Sequence, residues 1–197
     1  MNKSSVEKIG DEMAKDYPSF QEVQNVREKF KNISYQHWVN DDLFTWKWWF
    51  LLFLSIFPWI VWWKIVDKRR LPEILMFGLI MATFAFLLDN IGTDLMWWEY
   101  PDKLLQMIPP LLPADLTLVP CIVMLIYQWT KTWKSFLLVN FIVSLWSVYL
   151  GETFFIWLDL YKLLEWKLIY SVLFYNIGGT IARWLVLKTF SISKKAH

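Results

Sequence analysis

Five stretches of this chain carry no formal charge: Trp48–Trp63, Ile74–Leu88, Leu116–Thr130, Ser135–Gly151 and Leu168–Ala182, of 16, 15, 15, 17 and 15 residues. No other feature limits the accessible folds so severely. At about 1.5 Å rise per residue each stretch covers roughly 22–26 Å as a helix, against a hydrocarbon core of about 30 Å. Two architectures meet that length. One is a soluble bundle of buried helices, and the other is a set of spans whose charged ends dip into the membrane edge. Composition decides for the second, because a 197-residue chain that is 56% hydrophobic, with 15 Trp, has too little interior to hide its apolar surface.

The tryptophans fall where a bilayer would put them. Trp46, Trp48 and Trp49 open the first stretch, and Trp62 and Trp63 close it. Trp97 and Trp98 follow the second, Trp129 and Trp133 bracket the turn after the third, Trp157 and Trp166 flank the next connection, and Trp184 lies near the end of the last. This spacing reads as two interfacial belts, so anchoring accounts for the Trp content. The expected fold is all-α, a polytopic membrane bundle with transmembrane helices near 44–66, 72–92, 114–130, 134–158 and 167–188. Residues 1–42 form a polar and amphipathic helical tail, 43–190 the five-helix domain and 191–197 a basic end. In the tail, Pro18 ends any earlier helix, and Ser19 with Glu22 makes a capping box. Phe20, Val23, Phe30 and Ile33 then mark an amphipathic helix of about a dozen residues on the membrane or over the bundle mouth. Asn32-Ile33-Ser34 matches a glycosylation acceptor, a triplet common by chance.

Charge sets the orientation. Lys64, Lys68, Arg69, Arg70, Lys131, Lys134, Arg183, Lys188, Lys194 and Lys195 share one side, against Lys103, Lys162 and Lys167 on the other. The basic side is therefore cytoplasmic, which with five spans places the C-terminus inside and the N-terminus outside. Arg27, Lys29 and Lys31 in the tail oppose that assignment.

The connection after the second stretch, "LLDNIGTDLMWWEYPDKLLQMIPPLLPADL", concentrates acid and proline. Residues 89–115 hold Asp89, Asp94, Glu99, Asp102 and Asp115 against Lys103. Pro101, Pro109, Pro110 and Pro113 exclude a continuous helix, so a short interfacial excursion is expected. Asp89 and Glu152 sit inside predicted spans and Asp115 at the start of one. An ionised carboxylate at that depth costs several kcal/mol unless paired, hydrated or protonated. A polar vestibule near the outer mouth follows, lined by Asp89, Asp115 and Glu152, with Asp94, Trp98 and Tyr100 as further ligand-contacting candidates. The competing reading caps helices two and three with the aspartates, Asp115 especially as an N-cap, and satisfies Glu152 with tyrosines or backbone. Arg183 is expected to snorkel towards the cytoplasm or meet Glu73 or Asp67. Pro58 and Pro120 interrupt helices one and three, and Gly178-Gly179 suits close helix packing.

Several chemistries are excluded. His37 and His197 lie outside the spans, which removes a histidine triad and a histidine metal or haem site within the membrane. No phosphate-cradling or dinucleotide motif occurs, Cys121 is alone, and the net charge of +2 carries no nucleic-acid footprint. No cofactor or metal is expected.

Several motifs in order resemble a family of small, tryptophan-rich, multi-pass membrane proteins of unknown function from spore-forming Gram-positive bacteria. They are "FTWKWW" (44–49), "PWIVWWKIVDKRR" (58–70), "EILMFGL" (73–79), "LLDNIG" (87–92), "WEYP" (98–101), "IPPLLPADLTLVP" (108–120), "MLIYQW" (124–129) and "YKLLEWKLIYSVLFY" (161–175). The resemblance covers about residues 35–180; Thr153 departs from it where proline is expected. It implies a plasma-membrane location and supplies no activity or catalytic residue.

The functional expectation is a non-catalytic membrane protein holding a lipid, an apolar or amphipathic ligand, or a partner such as a second copy of itself at the acid-lined vestibule. Two alternatives use the same acids. One is an acid–base enzyme acting on a lipid or isoprenoid double bond, with Glu152, Asp89 and Asp115 as catalytic candidates. The other is a cation or proton relay continuing inward through Asn140, Asn176, Gln128 and Arg183.

Overall fold

The computed structural model describes residues 17–108 and 110–193. A helix ending at Pro18 and the basic Lys194 and Lys195 lie outside or at the edge of the described residues. The chain divides into two compact units, Met1–Asp41 and Asp42–His197.

In the first unit α1 (Phe20–His37) runs for 18 residues, longer than its apolar pattern suggests. The capping box forms: Ser19 Oγ accepts from the Glu22 amide at 3.2 Å, and the Ser19 amide donates to Glu22 Oε2 at 2.6 Å. Two otherwise unsatisfied donors are thereby paired. No residue of α1 is buried, and Phe20, Val23, Val26, Phe30 and Ile33 are all exposed. The Asn-Ile-Ser triplet lies within this helix.

The second unit opens with α2 (Trp46–Ile65), capped by the Thr45 hydroxyl and carrying Pro58 internally. The basic turn is a short 3-10 segment, Lys68–Arg70, capped by Asp67. It leads into α3 (Leu71–Asp94), with Pro72 in the first turn, where its missing N–H costs nothing. A π-helical turn, Ala114–Leu118, runs directly into α4 (Val119–Trp129), and Pro120 sits just past the point where the two meet. Thr132 and Ser135 form a second capping box ahead of α5 (Trp133–Trp146). That helix continues through a π segment, Ser147–Glu152, into α6 (Thr153–Trp157). The last helix, α7, covers Leu168–Ser193, so the expected separate end at 191 begins as helix.

The connections hold a surprise for a purely helical expectation. Trp98–Glu99 (β1) and Lys162–Leu163 (β2) pair antiparallel, with Trp98 opposite Leu163. The acid-rich connection is therefore tied to the connection between α6 and α7. Met96 and Asp159, each with a φ of 56°, make the reversals beside this ladder.

The described chain is mostly helical. Among the described residues three helical runs are long and apolar enough to cross a membrane: Trp46–Ile65, Lys68–Asp94 and Trp133–Trp157. The apolar run Ala114–Trp129 is shorter. Helix α7 has the length, but Asn176, Thr180 and the buried Arg183 lower its apolar character.

Two packed layers lie at opposite ends of the unit. At the basic end Trp62, Ile74, Phe77, Met81, Met124, Tyr127, Phe136, Ala182 and Val186 form the larger core. At the acidic end Leu51, Leu111 and Leu160 form a smaller one, flanked by Phe50, Tyr100 and Phe155. Trp46, Trp49, Trp63, Trp129, Trp133, Trp157 and Trp184 are exposed, as an anchoring role requires. Trp62 and Trp98 are instead buried, which corrects the belt reading at those two positions. Arg183 extends to the basic turn, as snorkelling requires, but forms no hydrogen bond or ion pair with Glu73 or Asp67. Its guanidinium donates to the Thr130 and Lys131 carbonyls at 3.2 Å and lies over the rings of Tyr127, Trp133 and Phe136. A cation at the carboxyl end of α4 is favoured by the helix dipole.

Candidate functional site: an acid-lined cavity

Between the two cores lies a cavity of about 210 Å³. Asp89, Asp115 and Glu152 all line it, together with Trp98, Tyr100, Tyr161, Trp166, Ser171 and Tyr175. The remaining wall is mostly apolar, from Leu88, Val119, Ile122, Val143 and Phe155.

Asp89 organises the acidic end. Its Oδ1 accepts from Trp98 Nε1 at 2.5 Å and Tyr100 Oη at 2.6 Å, and its Oδ2 accepts from the Leu111 amide at 3.0 Å. All three donors come from the connection that follows α3. A buried carboxylate thus replaces the water those donors would otherwise bind, and the connection is pinned at both its ends. Further ties come from Lys47 to Asp102 at 2.6 Å, Trp48 Nε1 to the Leu104 carbonyl at 3.0 Å, and the Lys103 amide to Asp42 Oδ2 at 3.1 Å. Asp42 is buried, and sequence reading missed it. Nothing in the run "VNDDLF" separates it from its exposed neighbour Asp41.

Asp115 has a different environment. It lies inside the π turn with no capping bond, which removes its reading as an N-cap. It is 8% exposed, and its Oδ2 is buried without a donor from the protein. It shares the cavity wall with Asp89.

Glu152, across the cavity, accepts from Ser171 Oγ at 3.2 Å and Tyr175 Oη at 3.4 Å. Both partners lie on one face of α7, four residues apart, a spacing that was legible in the sequence but went unused. Trp166 Nε1 donates to Ser171 Oγ at 3.0 Å. The indole also stacks on Trp97 with ring centres 5.1 Å apart and meets Trp98 edge-on at 4.9 Å. Tyr100 stacks on Tyr161 at 5.4 Å. These aromatic pairs, with the β1–β2 ladder, roof the cavity at the acidic end. Burial first, and the Asp89 and Asp115 charges second, hold the Tyr100 phenol well above its ordinary pKa, so it stays a donor. Burial pushes the Lys103 amine below its usual range.

Asp94 is not part of this site. It is exposed, because five residues beyond Asp89 on a helix is about 140° further round. The polar lining continues inward as far as Asn140 and Ser144. There Asn176 bonds both of them, at 3.2 and 2.7 Å. Beyond Asn140 the apolar core of the basic end closes the bundle. Gln128 belongs to the far turn, where it accepts from the Asp67 amide at 2.7 Å. Among the described residues no group of three or more His, Cys, Asp or Glu side chains is arranged to hold a metal ion.

Comparison of the chain with protein-family models, curated proteins and solved structures gives no match.

Proposed function

We propose that this protein is a five-span plasma-membrane protein that binds an amphipathic or apolar ligand, non-catalytically, in its acid-lined cavity. Helices α2, α3, α4 with its π turn, α5 with α6, and α7 are the spans, and the basic turns face the cytoplasm. The likeness of residues 35–180 to the tryptophan-rich family belongs to the same reading.

The observation that carries it is Asp115 Oδ2, a buried acceptor lacking a donor, on the wall of a cavity otherwise framed by satisfied groups. Such an atom costs about 1–3 kcal/mol, which a ligand donor recovers. The polar lining stops at Asn140 and Ser144, short of the basic end, which favours holding a molecule over passing one through. The test is native mass spectrometry of gently extracted protein. A retained small molecule is expected, and Glu152→Gln or Asp115→Leu should release it. An unladen protein whose mass profile is insensitive to both changes counts against the reading.

One observation favours acid–base catalysis as a second reading. Asp89, Asp115 and Glu152 bring three carboxyl groups to the wall of one cavity. An acid that can give a proton and a base that can take one are the minimum for moving a double bond. Deuterium incorporation from heavy water into a polyisoprenoid incubated with the protein, lost in Asp115→Asn, distinguishes this from simple binding.

A further inference from the structure

The cavity has a thin side. Helix α4 with its π turn presents Leu118, Val119, Ile122, Val123 and Ile126 to it, and α5 with its π segment presents Asn140, Val143, Ser144, Ser147 and Gly151. Each set follows the three- and four-residue spacing of one helical face, so the two faces look at each other across the void. The helices are joined at the Thr130–Thr132 turn, where Arg183 clamps the α4 carboxyl end. Away from that turn the opposing residues on α5 are small, and the gap is not filled. At Gly151 a Cβ would meet no atom within 4 Å. Ile122 on α4 is partly exposed at 37%, and Leu116, Tyr149 and Leu150 are exposed apolar side chains. The roof of β1, β2 and the tryptophan stack covers the other approach.

Size adds a second constraint. A dry cavity of about 150 Å³ holds a benzene. The cavity of about 210 Å³ therefore holds a head and only the first few carbons of any lipid. The remainder of a longer chain must leave through an opening.

We propose that the cavity is entered sideways from the lipid phase, between α4 and α5 at Gly151, by a single-chain amphipath whose hydrogen-bond-donating head reaches Asp115 and Glu152 while its tail stays in the gap. This rests on the binding reading above and adds the route and the ligand class. An ammonium head suits the site best. It supplies donors to Asp115 Oδ2 and answers the Asp89 charge, whereas a carboxylate head would meet three acidic groups.

The experiment uses the full chain in lipid nanodiscs and three photoactivatable probes of equal length, an alkylamine, an alkyl alcohol and an alkylcarboxylate, each with a diazirine next to the head. Crosslinks to residues 111–123 and 143–155 are quantified by mass spectrometry. In the wild type the amine and alcohol should label these segments, and the carboxylate about tenfold less. Gly151→Trp, whose indole enters open space, should reduce amine labelling about tenfold, within the range that pocket shape alone commands. Leu150→Trp, one position away on an exposed face, should leave it unchanged.

If Gly151→Trp labels like the wild type while Asp115→Asn loses the amine preference, the route is refuted and the binding site stands. Equal labelling by all three probes refutes the head preference. Wild-type labelling no higher than that of Asp115→Asn refutes the binding reading itself.

Discussion

Replacing Asp89 by Asn removes one acceptor oxygen and puts two donors in its place. The substituted atom then faces either the Leu111 amide at 3.0 Å, or Trp98 Nε1 and Tyr100 Oη at 2.5 and 2.6 Å. In either orientation a buried donor points at a donor. One such unsatisfied group costs about 1–3 kcal/mol, and at 1.4 kcal/mol per tenfold the connection should open about 5- to 150-fold more often. Lys103 lies within that connection, so trypsin cleavage after it reports the opening directly when reclosure is faster than cutting. Cleavage after Lys103 in detergent-solubilised Asp89→Asn is expected to rise by that factor, and the unfolding midpoint to fall by about 2–12 °C, taking 2–4 °C per kcal/mol for a chain this size. Asp94→Asn is the control. It removes a carboxylate from the same helix on an exposed face and should alter neither quantity beyond about 0.5 kcal/mol. Unchanged cleavage in Asp89→Asn, or an equal change in Asp94→Asn, would refute the claim that Asp89 is the peg of this connection.

Gly92→Ala should destabilise by about 1–3 kcal/mol in thermal unfolding, because its Cβ would overlap the Trp98 indole, whereas Gly151→Ala should be neutral or slightly stabilising. Arg183→Lys should lower the unfolding midpoint even though charge is kept, since an ammonium cannot reproduce the guanidinium fork on the Thr130 and Lys131 carbonyls while lying flat on three rings. Tyr100 has a folded pKa above its unfolded value of about 10, so it contributes stability that is complete below pH 10 and is lost as pH rises beyond it; chemical unfolding of Tyr100→Phe should show a weaker alkaline decline than wild type. In a Cys121→Ala background, cysteine at Glu165 should react with a membrane-impermeant maleimide on intact cells and cysteine at Lys131 should not. The reverse pattern overturns the proposed orientation.

The positions of the helices were open to the sequence because each is written in local terms. Charge-free runs mark their interiors, and Ser19, Thr45 and Thr132 mark their starts with hydroxyls that satisfy amides three residues on. With the π segments counted as part of their helices, expected and observed ranges of the apolar helices differ by only a residue or two, except at the end of α7. The acidic residues were also flagged by depth alone, since a carboxylate inside an apolar run is conspicuous whatever surrounds it. What surrounds it depends on residues far apart in the chain. Asp89 meets Leu111, Glu152 meets Tyr175, and Trp97 and Trp98 meet Trp166 through a strand pair too short to leave a pattern. Local reading kept Asp94 beside Asp89 as a ligand-contacting candidate and put both Trp98 and Trp157 in the interfacial belts. Only packing separated them, by turning one of each pair inward. Composition and periodicity therefore determined a chain of apolar helices with acids near one end. The tertiary structure decided that three of those acids share a hollow, because hydrogen bonds across the chain, unlike helix propensity, have no signature in neighbouring residues.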